Sequence, residues 1–208
     1  MAVAFDHIAF TAESRAIGCA AFYKATGVEL PIGGEHPLMG THNCVSAMGD
    51  DQFLELITID PDAPMPRHKR WFGLDDREPK ELAAHAVVLR SDDLDRDAEK
   101  AKSLGVDYGV PLVLTRGDLT WRFAVREDGK IPLDGAAPLL MQWDQPVPHP
   151  ASKMKDQGIR LQRIKVTTPH LEKLTALCAL LGWSDIEIEA GETQMSFALT
   201  VDGKQVTL

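Results

Sequence analysis

The chain has 208 residues, of which 44% are hydrophobic and 25% are charged, and its formal net charge is −9. This is the composition of an ordinary globular protein, with enough residues to bury a sizeable core. The negative charge argues against nucleic acid as a partner, because a polyanion rewards clustered Lys and Arg. No apolar run approaches the roughly 20 residues of a membrane helix, and the first residues do not resemble a secretory signal. We therefore predict a protein that binds neither nucleic acid nor membranes.

The cysteines indicate the compartment. Cys19, Cys44 and Cys178 are widely spaced and odd in number. That pattern favours reduced, buried thiols over a disulfide framework. We therefore predict a cytoplasmic location.

Three times along the chain an apolar strand is predicted to lead into a helix that ends at a glycine followed by an apolar residue. These glycines are Gly27, Gly105 and Gly182, spaced 78 and 77 residues apart. A recurrence this regular indicates one supersecondary unit used three times. His7 and His85 are also 78 residues apart, so the repeat suggests that equivalent strands direct equivalent side chains into a shared cavity.

The first unit, residues 1–60, begins with an alternating strand over Ala4–Thr11 that places His7, Ala9 and Thr11 on one face. Ser14 can cap a helix that runs to about residue 25 and is closed by Gly27. Further strands are predicted at residues 28–32, 43–48 and 52–59, with a polar, Gly-rich loop at residues 33–42 between the first two. The order is β-α-β-β-β.

Residues 61–80 are rich in Pro and charge and are predicted to form a linker or lid. The second unit, residues 81–150, repeats the order, with strands at 85–90, 110–115, 119–126 and 139–143. The third, residues 151–208, is a shorter β-α-β-β-β unit. Helices separated by hairpin-linked strands indicate an α+β fold with two full, paired modules and a shorter third.

This order resembles that of the vicinal oxygen chelate superfamily, and more narrowly the bacterial glyoxalase-like domain proteins. The segments that carry the resemblance are Asp6-His7-Ile8, Gly33-Gly34-Glu35-His36-Pro37, Gly40-Thr41-His42-Asn43, Leu54-Glu55-Leu56-Ile57, Arg70-Trp71-Phe72-Gly73-Leu74-Asp75, and Gln142-Trp143-Asp144 with His149-Pro150. The resemblance implies that two modules form a cup-shaped half-barrel of the glyoxalase/bleomycin-resistance type.

In that superfamily a metal in the cup is held by the first and last strands of each module. The resemblance implies His7 and Glu55 as ligands from the first module and Gln142 from the second. The fourth ligand position is His85 when residues are counted back from the end of the second helix. It is Ala86 when the start of that helix is aligned with the usual start in this family. A slip of one residue reverses the face of a strand, so the two alignments place His85 on opposite sides of the sheet.

Other polar or aromatic residues are candidates for the lining of the cup. We expect ligand contacts from His36, His42, Arg122, Trp143 and His149. Arg122 faces the cup if Trp121 and Phe123 pack on the helix, and otherwise it is an outward, salt-bridging residue.

Three functions follow from the resemblance. The first is a metal-assisted lyase, isomerase or dioxygenase that acts on a carbonyl or vicinal-oxygen substrate, with Ni, Fe, Mn or Zn polarising oxygen and Glu55 as ligand or proton shuttle. The second is a protein that sequesters a small molecule without turnover and needs no metal. The third is a structural role in which side chains fill the cup; a homodimer is an assembly that the fold allows.

Overall fold

The computed structural model describes residues 3–144 and 148–208. In this part of the chain the first module contains β1 (Ala4–Thr11), α1 (Arg15–Thr26), β2 (Ile32–His36), β3 (Thr41–Ala47) and β4 (Phe53–Ile59). The second contains β5 (Ala83–Arg90), α2 (Leu94–Lys102), β6 (Val110–Arg116), β7 (Leu119–Val125) and β8 (Leu139–Trp143). The third contains β9 (Ile159–Thr168), α3 (Leu171–Leu181), β10 (Glu187–Ala190), β11 (Gln194–Val201) and β12 (Lys204–Thr207). The predicted α+β fold is confirmed.

The helix boundaries follow from capping. Ser14 accepts a hydrogen bond from the backbone of Ile17 at the start of α1, and the carboxylate of Asp93 caps α2 in the same way. Gly27 and Gly182 adopt left-handed conformations (φ 76° and 71°) at the ends of α1 and α3. A side chain at such a φ would crowd the backbone, which is why these helices end at glycine.

Strands β1 to β8 form one sheet in the order β2-β3-β4-β1-β5-β8-β7-β6. Within each of the first two modules the first strand runs parallel to the last, as in the pairing of β1 with β4. The modules join where β1 pairs antiparallel with β5. The strand β2 starts at Ile32, four residues later than predicted, so it includes part of the expected loop.

The third module has the predicted element order but a different strand pairing. Its sheet runs β10-β9-β11-β12, so β9 pairs parallel with β10, the strand directly after the helix. In the first two modules the equivalent partner is the last strand. The third unit is therefore not a third copy of the same sheet, although the local sequence pattern is shared.

The main core lies between the two sheets and the helices. Phe10 on β1 contacts Phe197 on β11 edge to face, with ring centroids 5.2 Å apart, and it contacts Phe22 on α1 at 6.0 Å. A second apolar cluster lies on the other, concave face of the larger sheet and includes Trp71, Trp121 and other cup residues. The third module thus covers the convex face and leaves the concave face to form a cup.

The predicted linker or lid segment (residues 61–80, hereafter the lid) contributes to this concave cluster. Its 3₁₀ segment Trp71–Asp76 places Trp71 and Phe72 in buried positions beside the cup. The segment is tied down by Arg70, whose guanidinium bonds Asp75 at 2.6 Å and the carbonyl of Gly40 at 3.3 Å. No helix in the described part of the chain is long and apolar enough to cross a membrane.

Candidate active site in the cup

The concave face of the eight-stranded sheet contains a cavity with a polar floor and aromatic walls. The cavity is narrow: the volume open to the centre of a water molecule is about 40 Å³. Its polar lining residues are His7, His36, Asn43, Glu55 and Arg116. Its aromatic lining residues are Phe53, Trp71, Phe72, Trp121, Phe123 and Trp143. A few polar groups converging in an apolar pocket are typical of a small-molecule site.

The floor is a line of three ionisable side chains, Asp6, His7 and Glu55. His7 Nδ1 lies 2.7 Å from Asp6 Oδ1, and His7 Nε2 lies 3.5 Å from Glu55 Oε2. The imidazole also stacks on Phe53, with centroids 4.2 Å apart. Glu55 Oε1 accepts a hydrogen bond of 2.6 Å from the Asn43 amide. These contacts fix the orientation of both His7 and Glu55.

The charges in this line stabilise one another. Burial opposes the charged form of His7, but its hydrogen bonds and ionic contacts with Asp6 and Glu55 raise its pKa to about 9. Burial also opposes ionisation of Glu55, yet the contact with His7 lowers the pKa of this carboxyl below its ordinary value. Asp6 is buried too, and bonds from His149 and His7 hold its pKa well below the usual range. The floor at neutral pH is an imidazolium between two carboxylates.

His36 faces the same cavity from the edge strand β2 but remains neutral. Its pKa falls to about 4 because burial opposes the charged form; the nearby Arg116 charge lowers it further and Glu55 partly offsets this. Its Nδ1 lies 3.1 Å from Thr41 Oγ1, which also accepts a hydrogen bond from Trp71 Nε1. In the tautomer in which the Thr41 hydroxyl donates to Nδ1, the proton of the neutral ring lies on Nε2.

Two residues expected as metal ligands do not join the floor. Gln142 lies on the helix side of β8, where its Oε1 accepts a hydrogen bond of 2.9 Å from the backbone of Leu94. His85 lies outside the lining of the cup, and its Nε2 donates to the carbonyl of Phe72 at 2.6 Å. Burial lowers the pKa of His85 to about 3. The structure places Ala86, and not His85, opposite Ala9 on the concave face, which is the arrangement given by aligning the helix start.

Two of the expected ligand contacts also point away from the cup. Arg122 forms a two-oxygen salt bridge with Asp95 at 2.6 and 2.7 Å, while its neighbours Trp121 and Phe123 line the cavity. The outward alternative for Arg122 is therefore the one that the structure adopts. His42 lies on the face of β3 opposite Asn43, with its Nδ1 3.6 Å from Asp60. Burial lowers the pKa of His42.

Trp143 and His149 meet at Asp6. The indole Nε1 of Trp143 donates to Asp6 Oδ2 at 2.8 Å, and Nε2 of His149 lies 3.0 Å from the same oxygen. Nδ1 of His149 accepts from the backbone of Ala151, so Nε2 is the donor to Asp6. Trp143 lines the cup and His149 does not. His149 instead orients the carboxylate of Asp6, which in turn bonds to His7.

Three functional positions were not singled out from the sequence: Asp6, Asn43 and Arg116. Simple alternation puts Asp6 on the face opposite His7, but the pairing of β1 with β5 shifts register between Phe5 and His7 and brings Asp6 against the site. Asn43 could have been found from register, since β3 pairs with β4 beside Glu55. No local sequence pattern identifies Arg116 as a residue that lines the cup.

The donor set does not fit the transition-metal site implied by the resemblance. Within residues 3–144 and 148–208, no group of three or more His, Cys, Asp or Glu side chains is placed to hold a metal ion. The second module offers Ala86, Val88, Met141 and Trp143 to the concave face. Such a site normally requires at least three protein donors, and His7 and Glu55 are only two. We therefore derive no step through a metal.

The repeated βαβββ modules and the polar floor of the cup define the vicinal oxygen chelate class of proteins. A family model described as the glyoxalase-like domain matches residues 5–182. The chain therefore belongs to the glyoxalase-like domain family.

Solved structures share this fold. A hypothetical protein from Staphylococcus aureus matches with a TM-score of 0.64 and 15% identity, over 100% of this chain and 84% of that one. The Mn(II)-bound glyoxalase from Novosphingobium aromaticivorans matches with a TM-score of 0.55 and 12% identity, over 93% of this chain and 64% of that one. At these identities the likeness concerns the fold. A search of curated protein sequences returned no match.

Proposed function

We propose that this protein is a glyoxalase-like lyase or isomerase that moves a proton at a carbon atom beside a carbonyl group, with Glu55 as the catalytic base. The observation that carries the proposal is the setting of Glu55. This carboxylate is only 5% exposed, lines the cavity, and is oriented by Asn43 at one oxygen and His7 at the other. A fixed, ionised carboxylate in an aromatic pocket suits abstraction of a proton from carbon.

His7 and Asp6 are positioning residues in this proposal. The imidazolium of His7 keeps Glu55 ionised, and Asp6 keeps the imidazole in place through its bond to Nδ1. When Glu55 takes the proton, one carboxylate charge of the floor is neutralised and a negative charge develops on the substrate oxygen. In the tautomer with its proton on Nε2, the neutral ring of His36 on the edge strand β2 offers a donor for that oxygen.

The test follows proton exchange between substrate carbon and solvent. The protein is incubated in deuterium oxide with a panel of 2-oxo acids and 2-hydroxy aldehydes, and deuterium incorporation is read by NMR and mass spectrometry. We expect incorporation into at least one compound, and its loss in Glu55→Gln, which keeps the shape of the side chain. The matched control is Glu35→Gln, an exposed carboxylate on β2.

The outcome against the proposal is equal incorporation by the wild type and Glu55→Gln, or none by the wild type with any panel member. Circular dichroism and thermal melting of each variant show whether a loss of exchange reflects unfolding. Because Gln can still accept from Asn43, we expect Glu55→Gln to fold.

The second candidate function is sequestration of a small molecule without turnover. It is favoured by one observation: the pKa of Glu55 is lowered, which makes this carboxylate a weaker base, while six aromatic rings line the cavity. In that case a ligand raises the melting temperature saturably, is recovered unchanged, and binds equally in the presence of a chelator. The cavity beside Glu55 disfavours a purely structural role.

A further inference from the structure

We infer that the substrate of the cup is a small carboxylic acid and that Arg116, which lines the cavity, binds its carboxylate. This inference rests on the proposed function, since it names the substrate class of the same site. Four features support it: the place of Arg116 in the sheet, the space kept for it by Gly34, its lack of a carboxylate partner, and the charge of the cup.

Arg116 lies where the two edges of the half-barrel meet. It is the last residue of β6, and β6 and β2 are the two edges of the eight-stranded sheet. These edges approach each other across the concave face, where Arg116 lies against Gly34 and lines the cavity. A molecule bound in the cavity can therefore contact this side chain.

Gly34 is small so that Arg116 can lie there. A Cβ atom at position 34 would come within 2.6 Å of Arg116 Cδ and 2.7 Å of its Nη1. The φ of Gly34 is not in the left-handed region, so a side chain at position 34 would displace the Arg116 side chain without straining the backbone.

Other arginines near the cup have carboxylate partners, and Arg116 has none in the part of the chain that the structure describes. Arg70 pairs with Asp75, Arg90 with Asp51, and Arg122 with Asp95. The guanidinium of Arg116 is partly buried and offers a planar fork of N–H donors. A carboxylate matches that fork with two parallel hydrogen bonds.

The charges of the floor determine which way an acid would bind. Asp6 and Glu55 are both ionised, and the cations beside them, His7 and Arg90, are already paired with them, so the floor, within the described part of the chain, offers no free cation to a second anion. Arg116 is the cationic lining residue outside that ionic line. The carboxylate therefore binds Arg116, the apolar body packs on Trp71 and Trp121, and the carbon atom beside the carbonyl faces Glu55.

The test compares an acid with a neutral compound of similar shape. The probes are 2-oxo-3-phenylpropanoate and 1-phenylpropan-2-one, in which a methyl group replaces the carboxylate, and binding is measured by calorimetry. We expect the wild type to bind the acid about tenfold or more tightly than the ketone. Arg116→Met is expected to abolish this preference, and Arg116→Lys to restore part of it.

The matched control is Arg122→Met. It removes an arginine of the same hairpin whose side chain faces away from the cup, so this variant should keep the preference for the acid. Gly34→Ala, which displaces the guanidinium, should weaken binding of the acid more than binding of the ketone. Equal affinities in the wild type, no binding of the acid at millimolar concentration, or an undiminished preference in folded Arg116→Met would each overturn the inference.

The two proposals fail separately. Acid preference without deuterium exchange overturns proton transfer by Glu55 and leaves the role of Arg116 intact. Exchange of neutral carbonyl compounds without any acid preference overturns the role of Arg116 and leaves Glu55 intact.

Discussion

At the scale of single residues, the site depends on one buried carboxylate. Asp6 is fully buried and receives hydrogen bonds from His7, Trp143 and His149. A buried charge is tolerated when several donors replace water, and here the same donors connect three parts of the chain. Asp6 thereby links the orientation of His7 to the positions of Trp143 and His149.

The first prediction concerns the two histidines of the cup. In metal-free protein, NMR titration should give His7 a pKa of about 9 and His36 a pKa of about 4. Asp6→Asn should lower the pKa of His7, because it removes the negative partner of Nδ1. A His7 pKa near 6.5 in the wild type would contradict the ionic floor.

The same titration has a stability consequence with a defined sign. The raised pKa of His7 stabilises the fold fully below its unfolded value of 6.5, and this stabilisation is lost as the pH rises towards 9. The lowered pKa of His36 has the opposite effect on stability. Its stabilising contribution is present above pH 6.5 and is lost as the pH falls through 4. Denaturant midpoints of His7→Gln should therefore depend less on pH between 6.5 and 9 than those of the wild type.

The second prediction concerns the free thiols. The Sγ atoms of Cys19 and Cys44 lie 3.3 Å apart, and the contact with Cys44 lowers the pKa of Cys19 to about 7. Iodoacetamide at neutral pH should therefore label Cys19 well before Cys178, whose pKa burial raises to about 11. Mass spectrometry after timed quenching measures the order, and Cys44→Ala should slow the labelling of Cys19. Equal rates for Cys19 and Cys178 would refute the prediction.

At the scale of elements, local periodicity identified most strands and helices, and pairing decided their roles. Strand β8 was predicted and is present, yet Gln142 faces helix α2 because Met141 and Trp143 take the concave side. The third module has the predicted elements, but β9 pairs with β10. Alternation assigns residues to two faces without stating which face is concave.

The third prediction concerns the lid. Phe72 has a left-handed conformation (φ 57°), which is unfavourable for a bulky residue, and the bond from His85 to its carbonyl helps to hold it. His85→Ala should cost about 1 kcal/mol of stability and speed hydrogen exchange at the amide of Gly73, which bonds to Gly129. His170→Ala, an exposed histidine bonded to Asp134, is the control. Unchanged exchange at Gly73 would show that His85 does not hold the lid.

At the scale of the whole molecule, two faces of one sheet have separate tasks. The convex face at β1 and β5 is covered by the third module, through contacts such as Phe10 with Phe197. The concave face carries the cup, whose polar floor comes from the first module and whose aromatic wall comes from the second module and the lid. The two modules are alike in fold and unlike in chemistry.

The fourth prediction follows from that asymmetry. Because the concave positions of the second module are apolar, protein purified from metal-supplemented medium should carry clearly less than one transition metal per chain after dialysis. Elemental analysis by mass spectrometry measures the content, and Glu55→Gln should leave it unchanged. One tightly held metal per chain, released by Glu55→Gln, would contradict our assessment of the donor set.

The fifth prediction is that both sheets unfold together. Phe197 is fully buried against the larger sheet, so Phe197→Ala should cost about 3–5 kcal/mol. In calorimetry it should lower a single transition of the whole chain. Leu180→Ala, at a residue that is 38% exposed in the same module, is the control. A separate, early transition for the third module would show that it folds on its own.

The sequence by itself determined the elements, the helix ends and the family fold, because capping and alternation are properties of neighbouring residues. The resemblance to the vicinal oxygen chelate superfamily also implied that His7 and Glu55 face the cup, and both residues line it. The tertiary structure decided the rest. The shift that brings Asp6 to the site, the outward turn of Gln142 and Arg122, and the meeting of Arg116 with Gly34 depend on strand register and sheet closure. These are set by partners distant in the chain, so no local pattern contains them.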